Sequence, residues 1–189
     1  YVTNAWEQVQ YVVNHCRVCF LCVENEEQLV KWLQFRNEAP SLKGVVVWDT
    51  KGLRAFSDPM VMSLADLSAA GHKTDASSPE RFDDRLAAGS SEDVAVLIYT
   101  SGTTGPPKGA MLTHTNVTWM AAAVARANPL FATDAVLSFL PLCHIFERLF
   151  TVFIHIAHAY TVHFVEKADT VTDNMSEVSP TIGYAVPRI

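Results

Sequence analysis

Short apolar runs alternate with stretches of helical spacing, and this alternation constrains the fold more than any other feature. Val18 to Val23, Val45 to Trp48, Val94 to Ile98, Ala135 to Leu140, Tyr160 to Val165 and Ile182 to Val186 read as strands. Trp6, Val9, Val12 and Val13 share one face of a helix that Thr3 or Asn4 can cap and that runs to about Cys16. Leu29, Trp32, Leu33 and Phe35 share a face of a second helix, about Glu26 to Glu38, with Pro40 behind it. Thr113 can cap a helix from about His114 to Ala127. Two more are expected at about Ile145 to Ala157 and, capped by Asp169, to about Val178. Strands separated by helices predict an α/β fold, with parallel β-sheet layers flanked by helices. The 49% hydrophobic content agrees, because strands covered on both faces are apolar on both sides. Order weakens from Asp49 to Gly89. Short helices about Ser63 to Ala69 and Glu80 to Ala88 are expected there, with loops at Asp58-Pro59 and Gly71 to Pro79.

Charge narrows the function. The chain has 14 Lys and Arg against 20 Asp and Glu, for a net charge of −6. No basic cluster is present to neutralise a nucleic-acid backbone, so nucleic acid is not expected as a partner. Tyr1 to Trp6 lack the basic and apolar regions of a signal peptide. Leu149 to Val165 is strongly apolar but holds His155, His158 and His163, and it falls short of the roughly 20 residues of a membrane span. It reads as a buried helix followed by a strand, and a peripheral membrane contact stays open.

Cys16, Cys19 and Cys22 form C-x2-C-x2-C, as in some iron–sulfur proteins, but the fourth ligand position holds Glu26. Cys19 and Cys22 would also point to opposite faces of a strand. With Cys143 they are expected as buried, free thiols in a reducing compartment, which suits a cytoplasmic protein. His114, His155, His158 and His163 show no ligand spacing, and no metal site is expected among them.

The chemistry concentrates in residues 99–109. Val94 to Ile98 delivers the chain into Tyr99-Thr100-Ser101-Gly102-Thr103-Thr104-Gly105-Pro106-Pro107-Lys108-Gly109. Glycines admit close approach, hydroxyls and backbone amides can cradle anions, and Lys108 adds a point positive charge. The bland alternative is a flexible connection. A Walker loop needs Gly-x4-Gly-Lys-Ser/Thr; counting from Gly102, Pro107 and Gly109 stand where Gly and Ser/Thr are required. Rossmann and nucleophile-elbow spacings are absent.

This eleven-residue run is similar to the signature of the acyl-adenylating (AMP-binding) superfamily, which includes acyl-CoA ligases, firefly-type luciferases and peptide-synthetase adenylation domains. The resemblance implies that Thr100, Ser101, Gly102, Thr103, Thr104, Gly105 and Lys108 contact the phosphates of ATP. Leu140-Pro141-Leu142-Cys143-His144-Ile145-Phe146-Glu147-Arg148 resembles the superfamily's next motif, in the form typical of long-chain fatty acid–CoA ligases. There His144 would lie by the acyl substrate, orienting the carboxylate or shaping the acyl tunnel. Alternatively His144 caps a helix or satisfies a buried backbone group. Glu147 and Arg148 read as a structural ion pair or as catalytic groups. Thr3-Asn4, Glu7-Gln8-Val9 and Asn14-His15 resemble the family's first nucleotide-domain helix, and Ala185-Val186-Pro187-Arg188-Ile189 a later strand end.

The resemblance implies that residues 1–189 are part of the large N-terminal domain. Motifs for adenine, ribose and Mg2+, and a mobile C-terminal lid domain, are expected in a remainder of the parent chain outside this sequence. The implied parent joins a long-chain fatty acid, ATP and coenzyme A through acyl-AMP, and this segment alone is expected to be inactive. The alternatives are an adenylating enzyme that loads another carboxylate or a carrier-protein thiol, a non-catalytic nucleotide-binding fragment, or a P-loop NTPase releasing ADP.

Overall fold

A computed structural model describes residues 2–100 and 105–184. The chain divides into two compact units, Tyr1–Gly89 and Ser90–Ile189.

In the first unit, β1 (Phe20–Val23), β2 (Gly44–Val47) and β3 (Val61–Ser63) form a parallel sheet in the order β1-β2-β3. Every residue of β2 is buried, as expected of a central parallel strand written Gly-Val-Val-Val. Helices α1 (Trp6–His15) and α2 (Glu26–Leu33) pack on one another, and Val13, Leu29, Trp32 and Phe35 form a core with Val45 and Val47. Asn25 caps α2 by accepting from the Gln28 amide at 3.2 Å. The second helix ends at Leu33, and Arg36–Glu38 continues as a 3-10 turn.

Arg36 grips Asp58 side-on through one guanidinium edge, Nε to Oδ2 at 2.6 Å and Nη2 to Oδ1 at 3.0 Å. Asp58 Oδ1 also accepts from the Met60 amide at 2.8 Å, just ahead of β3. The Arg36 hydrogen bond holds the Asp58 carboxyl below its ordinary pKa against the opposing effect of burial.

Several sequence expectations shift here. The cap of α1 is Ala5, not Thr3 or Asn4, and the Ala5 amide donates to Gln8 Oε1 at 3.0 Å. Gln8 thus supplies half of a capping box without a capping hydroxyl. Helix α3 runs over Leu64–Ser77, straight through the stretch expected as a loop from Gly71. A reciprocal Ser63–Asp66 capping box starts it, and one interior glycine costs only about 1 kcal/mol. Helix α4 spans Arg81–Ala87. Cys19 and Cys22 are exposed rather than buried, and Cys16 is half-buried with its Sγ donating to Val12 O. Cys19 precedes β1, and Cys22 faces away from the core formed by Val23 and its neighbours.

In the second unit, β4 (Val94–Thr100) and β5 (Lys108–Thr113) form an antiparallel hairpin with an irregularity between Val94 and Val96. Helix α5 (His114–Ala127) follows, capped by Thr113 as expected: Thr113 Oγ1 accepts from the Asn116 amide and Asn116 Oδ1 from the Thr113 amide. A parallel pair, β6 (Ala135–Ser138) and β7 (Thr161–Phe164), gains a parallel bridge from Val136 to Ile182. Between them one helical stretch comprises α6 (Ile145–Arg148), a π-helical segment (Leu149–Ile154) and α7 (His155–His158). Ala121, Val136, Leu149, Ile154, Tyr160 and Tyr184 form the core. Burial pushes the Tyr160 hydroxyl up to about 12, and it donates to Phe150 O. Asp169 lies in a 3-10 turn (Ala168–Thr170), and Thr170 takes the cap position of α8 (Val171–Val178). Among the described residues no helix is long and apolar enough to cross a membrane.

Candidate functional site

The hairpin β4–β5 brings the two ends of the glycine-rich loop together. Thr100 pairs with Lys108, and Tyr99 with Gly109, so both flanks of residues 101–107 leave one ladder side by side. Thr100 and Lys108 are both exposed at this neck. Ser101, Gly102, Thr103 and Thr104 lie outside the described residues. Gly105 has φ +85°, in the left-handed region, with open space where a Cβ would stand. Only its backbone angle calls for glycine. At Gly109 the demand is steric: a Cβ there would come within 3.2 to 3.4 Å of three atoms of the Tyr99 side chain.

The base of the hairpin is fixed by the polar loop before it. The Ser90 amide donates to Asp93 Oδ2 at 2.8 Å, and the Thr115 amide and hydroxyl donate to Ser91 O at 2.8 and 3.1 Å. The His114 amide donates to Asp93 O at 3.1 Å. Both ends of the hairpin are thereby tied to the first turn of α5. A rigid ladder presenting a loop with one lysine at its neck can hold an anionic, multiply charged group by position and charge.

The second motif forms a turn between β6 and α6. His144 takes the helix N-cap position by its backbone, with φ −81° and ψ 132°, but its side chain makes no capping bond. Its amide donates to Pro141 O at 2.9 Å, its carbonyl accepts from the Arg148 amide at 3.1 Å, and its side chain is exposed. Leu142, Ile145 and Phe146 give the surrounding surface an apolar character. Glu147 and Arg148 do not form the expected ion pair. Arg148 Nε donates to Leu142 O at 3.0 Å. Glu147 is wholly buried and accepts from Ser138 Oγ and Thr151 Oγ1, both at 2.6 Å, from Tyr184 Oη at 3.0 Å and from the Leu140 amide at 3.3 Å. The physical reason is orientation: successive residues on a helix point about 100° apart, so Glu147 faces inward while Arg148 folds back along the turn. Burial raises the Tyr184 hydroxyl well above its ordinary pKa, with Glu147 adding to the effect, so it stays protonated as a donor.

Ser138, Thr151 and Tyr184 escaped the sequence reading. Thr151 follows Glu147 by one helical turn, a spacing that could have flagged it, whereas Ser138 and Tyr184 offer no local signal. Phe139, Phe146 and Phe150 surround the Tyr184 ring, with centroids at 6.1, 5.6 and 4.6 Å. The likeness at Ala185-Val186-Pro187-Arg188-Ile189 falls outside the described residues. Among the described residues no three His, Cys, Asp or Glu gather as a metal site.

A family model for AMP-binding enzymes matches residues 1–189. The chain belongs to the AMP-binding enzyme family. Within it, the long-chain-fatty-acid–CoA ligase ACSBG2 of Homo sapiens is 34% identical over 195 residues, an alignment covering 100% of this chain and 28% of the ligase. The anthranilate CoA ligase AuaEII, solved with anthranoyl-AMP, superposes with a TM-score of 0.70 at 21% identity, over 97% of this chain and 33% of that one. The long-chain-fatty-acid–CoA ligase FadD1 of Archaeoglobus fulgidus gives 0.69 at 21% identity, over 98% and 33%. At such identities these AMP-binding structures speak for the fold, which is the α/β arrangement of parallel sheets and helices expected from the sequence. The chain spans 28% of the human ligase it matches.

Proposed function

We propose that this segment belongs to an AMP-forming long-chain fatty acid–CoA ligase and forms part of its N-terminal adenylation domain. The observation that carries the reading is the hairpin neck, which sets Thr100 and Lys108 opposite one another at the ends of the glycine-rich loop. Two features at its described end support ATP as the ligand: Gly105 keeps open space beside a left-handed backbone, and Lys108 is exposed at the neck. Thr100, Ser101, Gly102, Thr103, Thr104, Gly105 and Lys108 hold the phosphates of ATP, while His144 and its apolar neighbours face the acyl substrate.

In the first half-reaction a carboxylate oxygen of the fatty acid attacks the α-phosphorus of ATP. The new P–O bond gives acyl-AMP, and pyrophosphate leaves with the electrons of the broken α–β bridge. In the second, the sulfur of coenzyme A attacks the acyl carbonyl, AMP departs with its oxygen, and the thiol proton is lost. Mg2+ would supply charge neutralisation at the phosphates, and no residue of this segment is assigned to it. The loop contributes positioning and charge, which phosphoryl and nucleotidyl transfer chiefly require.

The test is Lys108→Ala in the full-length polypeptide, assayed by fatty-acid-dependent pyrophosphate release. A drop of about a hundredfold is expected from losing one preorganised charged donor. Unchanged release, or ADP in place of AMP as the product, refutes the reading.

A further inference from the structure

Glu147 stands out because nothing cationic meets it. Its carboxylate is wholly buried, and none of the ion pairs among the described residues includes it. Removing a carboxylate from water costs several kcal/mol unless its hydrogen bonds are replaced. Here three hydroxyls converge on Oε1, from Ser138, Thr151 and Tyr184, and the Leu140 amide reaches Oε2. A position needed only for packing would be filled by leucine at less cost.

The donors come from three separate stretches of chain. Ser138 ends β6, Thr151 lies in the π-helical segment, and Tyr184 follows the Ile182 bridge. Leu140 opens the turn that leads to His144. A glutamate at the third helical position would ordinarily fold back on the N-cap amide. Glu147 reaches past it to Leu140, and the His144 amide is left to close the turn on Pro141 O. Arg148 secures the same turn from its other side through Leu142 O. The helix then widens into a π segment immediately after, and such segments are frequent at functional sites. Thr151 reaches back from that widened turn to Glu147.

We propose that Glu147 is a positioning residue that clamps the Pro141–His144 turn to β6 and to Tyr184, and so fixes where His144 is presented. The claim rests on the adenylating reading of this segment. Glu147 does not touch substrate. It acts through His144, with Arg148 as the outer half of the clamp.

A double-mutant cycle in the full-length polypeptide tests it, with palmitate, Mg·ATP and pyrophosphate release as the readout. Glu147→Gln keeps the shape but weakens the acceptor, and kcat should fall about tenfold or more, the worth of one hydrogen bond to a charged group. The KM for ATP should stay within about twofold, because the clamp lies apart from the hairpin neck in the chain. In a His144→Ala background, Glu147→Gln should add no further loss, since its effect runs through a side chain already removed. Tyr184→Phe, which deletes a single donor, should show the same pattern at smaller size and guards against a failure to fold. In parallel, hydrogen exchange at the Leu140 amide should quicken about tenfold in Glu147→Gln. Losses that multiply in the double variant, an equal rise in the ATP KM, or unchanged exchange at Leu140 would overturn the proposal. If the unmodified protein forms no acyl-AMP from palmitate or any other carboxylate, the adenylating reading has failed. The Leu140 exchange and the rate of Cys143 alkylation then decide the clamp alone: both faster in Glu147→Gln supports it, and neither faster refutes it.

Discussion

Gly109→Ala tests whether the neck of the glycine-rich loop is shaped by one glycine. The added Cβ would meet Tyr99 Cζ at 3.2 Å, Cε2 at 3.3 Å and Oη at 3.4 Å, inside the roughly 3.5–4.0 Å optimum for nonbonded carbon contacts. Overpacking of this kind costs about 1–3 kcal/mol. Tyr99 is half-buried, so its ring can yield in part and a cost of about 1.5 kcal/mol, in the lower half of that range, applies. Opposing it, Ala restricts the unfolded chain and returns about 0.4–1 kcal/mol, because Gly109 is not in a positive-φ conformation. The expected net is a loss of about 1 kcal/mol. In a Tyr99→Ala background all three close atoms vanish and only the entropic gain remains, so the same substitution should stabilise by about 0.5 kcal/mol. The coupling is therefore about 1.5 kcal/mol, well above the scatter of independent sites. Urea unfolding of the 189-residue chain by far-UV circular dichroism, at constant m value, measures all four corners. Additive effects would show that the Tyr99 ring does not press on Gly109, and that the glycine answers to the loop's ligand instead.

Two further expectations concern stability, one in each unit. Asp58 is held below its unfolded value of 3.8, so its ion pair with Arg36 stabilises the fold above that pH and fades as pH falls through the lower folded value. Asp58→Asn should therefore lower the urea midpoint at pH 7, and the gap to the unmodified chain should close below about pH 4. A gap that persists in acid would mean that the pair contributes through shape and not charge. Thr113→Ala should cost about 1 kcal/mol by removing the cap of α5, and Thr113→Ser should restore it. Loss of the same size in both variants would assign the effect to packing.

The parts of the fold legible in the sequence are those settled by neighbours along the chain. Helix α5 matches its expected span of His114 to Ala127 because Thr113 and Asn116 cap it within one turn. Strand β2 is a continuous apolar run whose burial its own composition demands. Strand β3 was missed because three residues, Val61–Ser63, carry no periodicity; only pairing with Val45 to Val47 makes them a strand. The loop expected from Gly71 failed for the opposite reason. Gly71 is a local breaker, but the Ser63–Asp66 cap and the alanines around it outweigh one glycine.

The candidate site divides along the same line. Lys108 and Gly105 could be singled out as candidates because the glycine-rich loop is a run of consecutive residues, and the hairpin brings its ends together. Glu147 could be seen but not understood. Beside Arg148 in sequence it suggests a charge pair, yet its partners stand 9 and 37 residues away, at Ser138 and Tyr184. Whether a carboxylate is catalytic, paired or a buried clamp depends on which donors the tertiary fold delivers to it, and adjacent letters do not encode that. His144 inherits the same dependence. Its exposure is local, but its placement comes from a turn held by two side chains of one helical turn, Glu147 at the Leu140 amide and Arg148 at the Leu142 carbonyl. A change at Ser138 or Tyr184 should thus be felt at His144, although neither residue would be chosen from the motif that His144 belongs to.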